Sequence, residues 1–315
     1  MSTTTAPCQP APPVDELTPA RIAQLVREVA GKLDLDAAGA KQIKFTNNAV
    51  LVLPAAQAVL RIAGSPAVAA RVPGVIAAAR WYADHNIPAV RLWPDLPNAI
   101  TVGTHLITVW RHVPSRSIPP APSHLAEILR AIHAVPDPPP AGLPNWRVAE
   151  GMRKRLQRSS GIDPQTLDFL TAEITEIEQS LPELNSVPPL IPPGVIHGDA
   201  HLGNIIASPD GPVICDFDAT SIGPREWDLI PAAVGSIRFN YPTDVHAELV
   251  KHYGIDVTAW PGFPILRRLR EFQLVTSVIP ALNANPALRP QWQHRLDTYR
   301  NHEDRAPWTP YADVT

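Results

Sequence analysis

Cysteine is nearly missing from this chain: there are two, Cys8 and Cys215, in 315 residues. That excludes a disulfide scaffold and any Cys-rich zinc site, and makes a reduced, cytoplasmic chain the simpler expectation. Charge of one sign is missing as well. The formal net charge is -3, so no basic field exists to hold a nucleic-acid backbone. No stretch of eighteen apolar residues occurs, so no membrane span is expected. Residues 1–13 lack the apolar core and basic start of a signal peptide, and 1–14 read as a disordered tail. The pattern Gly-x-x-x-x-Gly-Lys-Ser/Thr is not found, which excludes a P-loop enzyme. What is plentiful is proline, 38 of 315; this is about 12% against a usual ~5%. The prolines are scattered or in short clusters and predict stiffened loops between elements. Apolar residues at 45% and charged residues at 18% describe a globular chain, long enough for two lobes with real cores.

The apolar spacing predicts a helix over 15–33, then three short strands over 41–46, 48–53 and 57–62. Ser65-Pro66 is a helix start, an N-cap followed by proline at the first position, and predicts a helix over 66–86 that Pro73-Gly74 threatens to kink. Two further strands are expected over 89–93 and 106–110. Residues 111–114 offer a hinge, which sets a β-rich lobe over 15–112 against a larger helical lobe over 113–315. In the latter, helices are expected over 123–134, 149–158, 164–181, 225–238, 244–253, 264–279 and 288–302. They are interrupted by a β-hairpin with strands at 205–207 and 213–215 around Ser208-Pro209-Asp210-Gly211.

The segment that carries chemistry runs from Val195 to Ile206, Val-Ile-His-Gly-Asp-Ala-His-Leu-Gly-Asn-Ile-Ile, and resumes ten residues later with Asp216-Phe217-Asp218. An apolar run enters a tight His-Gly-Asp loop, an Asn follows that Asp by five residues, and a hairpin delivers two acids. Charge at the edge of an apolar core is costly unless it serves a cation or a substrate. Phosphoryl transfer needs just such parts: a carboxylate to orient the attacking hydroxyl, and an amide oxygen with a second carboxylate to hold magnesium on the nucleotide phosphates.

The His-Gly-Asp-x-His-x-x-Asn form resembles the aminoglycoside phosphotransferase and choline kinase family of small-molecule kinases. Protein kinases keep the same Asp-to-Asn spacing but have Arg where Gly198 stands here. Gly223-Pro224-Arg225-Glu226-Trp227-Asp228-Leu229 after the hairpin and the helix end from Leu129 to Pro136 are similar to this family too. The resemblance spans about residues 40–300. It implies an α+β, bilobal, protein-kinase-like fold and an enzyme that moves the γ-phosphate of ATP or GTP, with Mg2+, to a hydroxyl of a small molecule. The acceptors it suggests are aminoglycoside-, amino-sugar- or choline-like. Asp199 is implied as the catalytic base or hydroxyl-orienting group, and Asn204 and Asp216 as the magnesium ligands. Asp218 supports the metal through water or caps the chain, His201 braces the loop, and His197 anchors it to backbone near Phe217. The base of the nucleotide is expected against residues 109–113.

The amino-terminal lobe departs from the pattern. The strand lysine that grips the phosphates is replaced by Arg61, and the helix after it contains no Glu. Arg binds phosphate bidentately and stays charged without help. The phosphate-covering turn, Thr46-Asn47-Asn48, has no glycine but can donate from its hydroxyl and amides. For the acceptor, Asp244, Glu248 and Glu271 are candidate acids and Trp227, Trp260 and Trp292 candidate walls, while Trp227 and Asp228 are expected to lock the helix after the hairpin. Two other readings stand beside the kinase: a catalytically degenerate kinase-like protein that binds ligand without transfer, motivated by Arg61 and the missing Glu, and a metal-dependent hydrolase built on His197, Asp199 and His201.

Overall fold

The computed structural model describes residues 17–45, 47–116 and 118–314. The expected tail over 1–14, with Cys8, lies outside the described residues, as does Thr46 of the phosphate-covering turn. The chain forms two compact units, one up to Ser115 and one from Arg116 onward.

The first unit opens with α1 (Pro19–Leu33). Thr18 caps it, its hydroxyl accepting from the Arg21 amide at 3.2 Å, and Pro19 fills the first turn, where a missing N–H is harmless. Its apolar stripe of Ile22, Leu25, Val26 and Val29 is buried. Strands β1 (Lys41–Phe45), β2 (Asn48–Leu53), β3 (Ala58–Ala63), β4 (Ile100–Val102) and β5 (His105–Arg111) form one antiparallel sheet in the order β1-β2-β3-β5-β4. Leu51, Leu53, Leu60, Ile62, Ile107 and Val109 pack with Leu25 and Val29 as the core of this unit. The edge strand β1 is exposed throughout.

Two expectations for this unit change. The helix over 66–86 is two helices, α2 (Pro66–Ala69) and α3 (Val72–Asp84). Pro73 has no N–H for the Ala69 carbonyl and its ring would collide with that carbonyl, so the first helix stops there and Pro73 sits in the first turn of the second. Residues 89–93 form no regular strand but isolated bridges at Ala89 and at Leu92, the latter to Trp110. Pro88 and Pro94 flank this segment and remove donors. The free edge of β5 is shared instead: the Trp93 amide donates to the Val109 carbonyl at 2.9 Å, and β4, which the sequence pattern did not signal, pairs with residues 105–107.

The second unit holds helices α4 (Pro122–Ala134), α5 (Val148–Gln157), α6 (Pro164–Ser180), α7 (Ile230–Arg238), α8 (Val245–Tyr253), α9 (Phe263–Thr276) and α10 (Arg289–Arg300). Among the described residues no helix is long and apolar enough to cross a membrane. The expected hairpin is β7 (Ile205–Ser208) with β8 (Gly211–Ile214). It is bracketed by a second antiparallel pair, β6 (Gly194–Ile196) with β9 (Ser221–Gly223), in which Ile196 faces Ser221. Residues 225–238 are not one helix. A 3-10 turn over Arg225–Asp228 precedes α7, because Pro231 cannot bond the Trp227 carbonyl.

Candidate active site

All six residues that the sequence assigns to catalysis and metal binding lie in the segment between β6 and β9 or beside it. The β6 strand ends at Ile196 and the chain turns at Gly198, whose φ is +84°. A Cβ here would sit 2.1 Å from the Ala219 carbonyl oxygen, so both conformation and space demand glycine.

Asp228 shapes that turn. Fully buried, it accepts from the His197 amide with Oδ2 and from the Gly198 amide with Oδ1, each at 2.7 Å. Trp227 completes the hold, its indole N–H donating to the Gly198 carbonyl at 2.9 Å. Trp227 and Asp228 thus lock the His-Gly-Asp loop rather than the helix that follows them. His133 of α4 reaches Asp228 Oδ2 through Nε2 at 3.1 Å, and its Nδ1 lies 2.7 Å from the Tyr253 hydroxyl. Burial, then the charge of Asp228, pushes the Tyr253 phenol well above its ordinary value. The phenol therefore keeps its proton and donates to Nδ1, which leaves Nε2–H for Asp228; the network assigns the tautomer.

Asp199 follows the turn and is half-exposed. Its Oδ1 lies 3.1 Å from Nη1 of Arg270 on α9, and its Oδ2 lies 3.6 Å from His201 Nε2. Burial pushes its pKa upward, but the His201 imidazole and the Arg270 guanidinium outweigh it and hold the carboxyl below the ordinary carboxylate range. His201 also accepts from the Gly203 amide with Nδ1 at 3.1 Å, which places its proton on Nε2, toward Asp199. His197 is fully buried and its Nε2 lies 3.0 Å from the Cys215 carbonyl, two residues short of Phe217, whose ring it meets edge to face.

Asn204, 5% exposed, donates from Nδ2 to the Asp199 carbonyl at 2.8 Å, and its own carbonyl accepts from the Cys215 amide at 2.9 Å. Two hydrogen bonds therefore link Asp199, Asn204 and the residue preceding Asp216. Asp216 adopts φ +67°, a left-handed conformation that Asp tolerates better than most residues and that concentrates at functional sites. Asp218 is half-buried in the 3-10 turn Phe217–Ala219. With its amide nitrogen engaged, Asn204 has Oδ1 to offer a cation, and with the Asp216 carboxylate this is a hard oxygen set of the type magnesium takes alongside nucleotide phosphates. Among the described residues no three His, Cys, Asp or Glu side chains are grouped to hold a metal by themselves, and the rings of His197 and His201 serve the loop.

In the first unit Arg61 lies on β3, an interior strand, paired between Val50 and Thr108, and is half-buried. Asn47 is exposed and its carbonyl accepts from Gly64 at 3.0 Å; a Cβ on Gly64 would come within 2.6 Å of that oxygen, so glycine permits the approach. Asn48 begins β2 opposite Ala63 and is buried.

The proposed acceptor residues fare differently. Glu271 is buried in a two-pronged ion pair with Arg238 and is also bonded to Arg267. Asp244 caps α8. Trp227, Trp260 and Trp292 are all buried. The sequence reading passed over Arg270, one position before Glu271, because helical spacing alone does not tell which of two neighbouring charges meets a loop seventy residues away.

A β-sheet unit, then a helical unit carrying a His-Gly-Asp loop, an Asn and a metal-competent Asp on the two sides of a hairpin, is the architecture of a kinase-type phosphotransferase. The chain belongs to the phosphotransferase enzyme family, whose model matches residues 41–272. No curated protein matches it significantly. Among solved structures it is similar to the amicoumacin kinase hAmiN in complex with AMP-PNP, Ca2+ and Ami, with TM-score 0.67 and 14% identity over 94% of this chain and 99% of that one. It is also similar to choline kinase LicA from Streptococcus pneumoniae, with TM-score 0.63 and 14% identity over 89% and 99%. The GDP complex of an aminoglycoside 2'-phosphotransferase of type IIIa aligns with TM-score 0.62 and 12% identity over 89% and 98%. The protein-kinase-like α+β fold expected from the motif is the fold of the chain.

Proposed function

We propose that this protein transfers the γ-phosphate of a nucleoside triphosphate, with Mg2+, to a hydroxyl of a small molecule. The observation that carries the reading is the hydrogen-bonded chain from Asp199 through Asn204 to Cys215, which gathers one hydroxyl-directing carboxylate and two oxygen ligands around a single hairpin. In the reaction the acceptor oxygen bonds to the γ-phosphorus while the bond to the β,γ-bridging oxygen breaks. The hydroxyl proton passes to Asp199 and on to water, and the nucleoside diphosphate leaves. Because Asp199 is a weak base, its work before the transition state is to accept a hydrogen bond and aim the hydroxyl, which suffices for a loose phosphoryl transition state. Bound Mg2+ would neutralise charge on the phosphates, held by Asn204 and Asp216, with Asp218 supporting. Solved neighbours carrying an ATP analogue and GDP keep both ATP and GTP as donors. The test is consumption of ATP and of GTP with Mg2+ over a panel of hydroxylated acceptors. Nucleotide and metal binding without turnover across that panel would favour the degenerate, ligand-binding alternative.

Two expected results follow from the nucleotide side. Asn204→Ala and Asp216→Ala should each weaken magnesium-dependent nucleotide binding and turnover together, since both remove an oxygen ligand. Calorimetric titration of the nucleotide with and without Mg2+ checks this, and unchanged affinity and kinetics in both variants would remove the metal roles. Arg61→Ala should raise the nucleotide KM or lower kcat by at least tenfold, about 1.4 kcal/mol, with Arg61→Lys restoring only part because an ammonium lacks the bidentate fork. Steady-state kinetics on folded variants decide it. Wild-type kinetics in Arg61→Ala would return the role to Lys41 or Lys44.

A further inference from the structure

We propose that the acceptor carries an anionic group, a carboxylate or a phosphate, and that Arg270 binds it beside Asp199. This rests on the phosphotransferase reading above and narrows its acceptor. Arg270 is 9% exposed, and Nη1 makes both of its hydrogen bonds, to Asp199 Oδ1 at 3.1 Å and to Gln273 Oε1 at 2.6 Å. Among the described residues its Nε and Nη2 have no protein partner. The side chain is nine-tenths buried, yet the unused edge of its fork is not sealed from solvent and stays open to a ligand. That edge matches the two oxygens of a carboxylate or phosphate.

The surrounding charges point the same way. A cationic acceptor needs uncommitted carboxylates, and those on the neighbouring elements are committed. Glu271 is taken by Arg238 and Arg267. Asp244 serves the start of α8 and Ser236, Glu248 lies beside Lys251 and His252, and Asp256 is bonded to Thr258 and His246. A second buried arginine, Arg295, donates to the carbonyls of Leu274 and Thr309 and to no carboxylate. At the exposed Tyr241, burial of the hydroxyl is the largest influence and raises its pKa, while the charges of Arg295 and Arg270 pull it down against Asp313. An amine brought to Asp199 would meet Arg270 there first. An anionic acceptor would exchange one carboxylate partner of Arg270 for another and release Asp199 Oδ1 to the hydroxyl.

The experiment uses the full chain with ATP or GTP and Mg2+ and four sets of hydroxylated compounds: glycerate and gluconate, glucose phosphate and glycerol phosphate, glucose and inositol, and kanamycin and choline. Phosphotransfer and the melting-temperature shift are both read, on wild type, Arg270→Gln and Arg270→Lys. Preference for either anionic set, an acceptor KM raised at least tenfold in Arg270→Gln with a smaller change in kcat, and partial recovery in Arg270→Lys are expected. The first two sets separate a carboxylate from a phosphate. An anion-induced melting shift that is lost in Arg270→Gln, without transfer to any set, would keep the anion site and sink the kinase reading. Preference for kanamycin or choline, an unchanged anionic KM in Arg270→Gln, or no response to either anionic set would overturn the proposal.

Discussion

Asp199→Asn should lower turnover by ~10²–10⁴ while the nucleotide Kd stays within a few-fold of wild type. The substitution is nearly isosteric, yet it removes the carboxylate proposed to orient the acceptor hydroxyl. It also turns an amide N–H₂ or a neutral oxygen toward Arg270 Nη1, where a charge had been. The fold should tolerate it. The loop is held by Asp228 and Trp227 through the backbone of residues 197 and 198, and the Asp199 side chain is 39% exposed. Kinetics with the best acceptor, paired with calorimetry of nucleotide binding and a thermal melt, separate these effects. Near-normal turnover in Asp199→Asn would sink the assignment. Because the His201 hydrogen bond and the Arg270 guanidinium hold it ionised against its burial, Asp199 is charged across the whole neutral range, so a pH dependence of turnover near neutrality must arise from another group.

Asp228→Ala should have the largest effect on stability. One carboxylate satisfies two backbone N–H groups and an imidazole with no access to solvent. Removing it strands all three, and the loss of one partner from such a buried set typically costs about 3–5 kcal/mol. In a unit of this size that corresponds to a fall in Tm of roughly 6–20 °C. Asp228→Asn should lie between, since its carbonyl can serve one amide while its N–H₂ confronts the other. Thermal and urea melts of both variants give the ranking. A melt for Asp228→Ala within 2 °C of wild type, an order-of-magnitude threshold on the same scale, would show that the loop is held some other way. The two aspartates are thus opposites: one should cost activity without stability, the other stability first.

The candidate site was legible in the sequence because it is local. Asp199, Asn204 and Asp216 lie within eighteen positions, and the hairpin between them announces itself by its turn residues. Strands β2 and β3 were legible for a similar reason, alternating apolar residues between turns. What stayed hidden depends on partners far along the chain. Strands β6 and β9 are three residues each and exist only because they pair with one another across residues 197–220. Residues 89–93 have strand-like composition, but flanking prolines leave them only isolated bridges. Asp228 reads as a lock on the helix after the hairpin, and its hold on residues 197 and 198 shows only once His133, ninety-five positions earlier, is brought beside it. Arg270 and Glu271 are neighbours in sequence with opposite fates, and no periodicity separates the residue at the catalytic carboxylate from the one buried against Arg238.

The pairing of β6 with β9 encloses every residue of the catalytic and metal-binding set, with Asp228 just beyond acting as the clasp. The loop so closed is short, and closing a short loop demands little chain entropy. Its backbone is held by contacts within itself and by α4 and α8 through His133 and Tyr253, while α9 reaches it through the Arg270 side chain, which meets the Asp199 carboxylate. Helix α9 thus meets the loop at a side chain, so substitutions along that helix should leave the backbone shape of the loop in place. On the proposed reading, a chain of this kind would be an interchangeable engine: its lineage could acquire a new acceptor by redecorating one helix, and Arg270, the single α9 side chain bonded to Asp199 among the described residues, marks where such a change would first be felt.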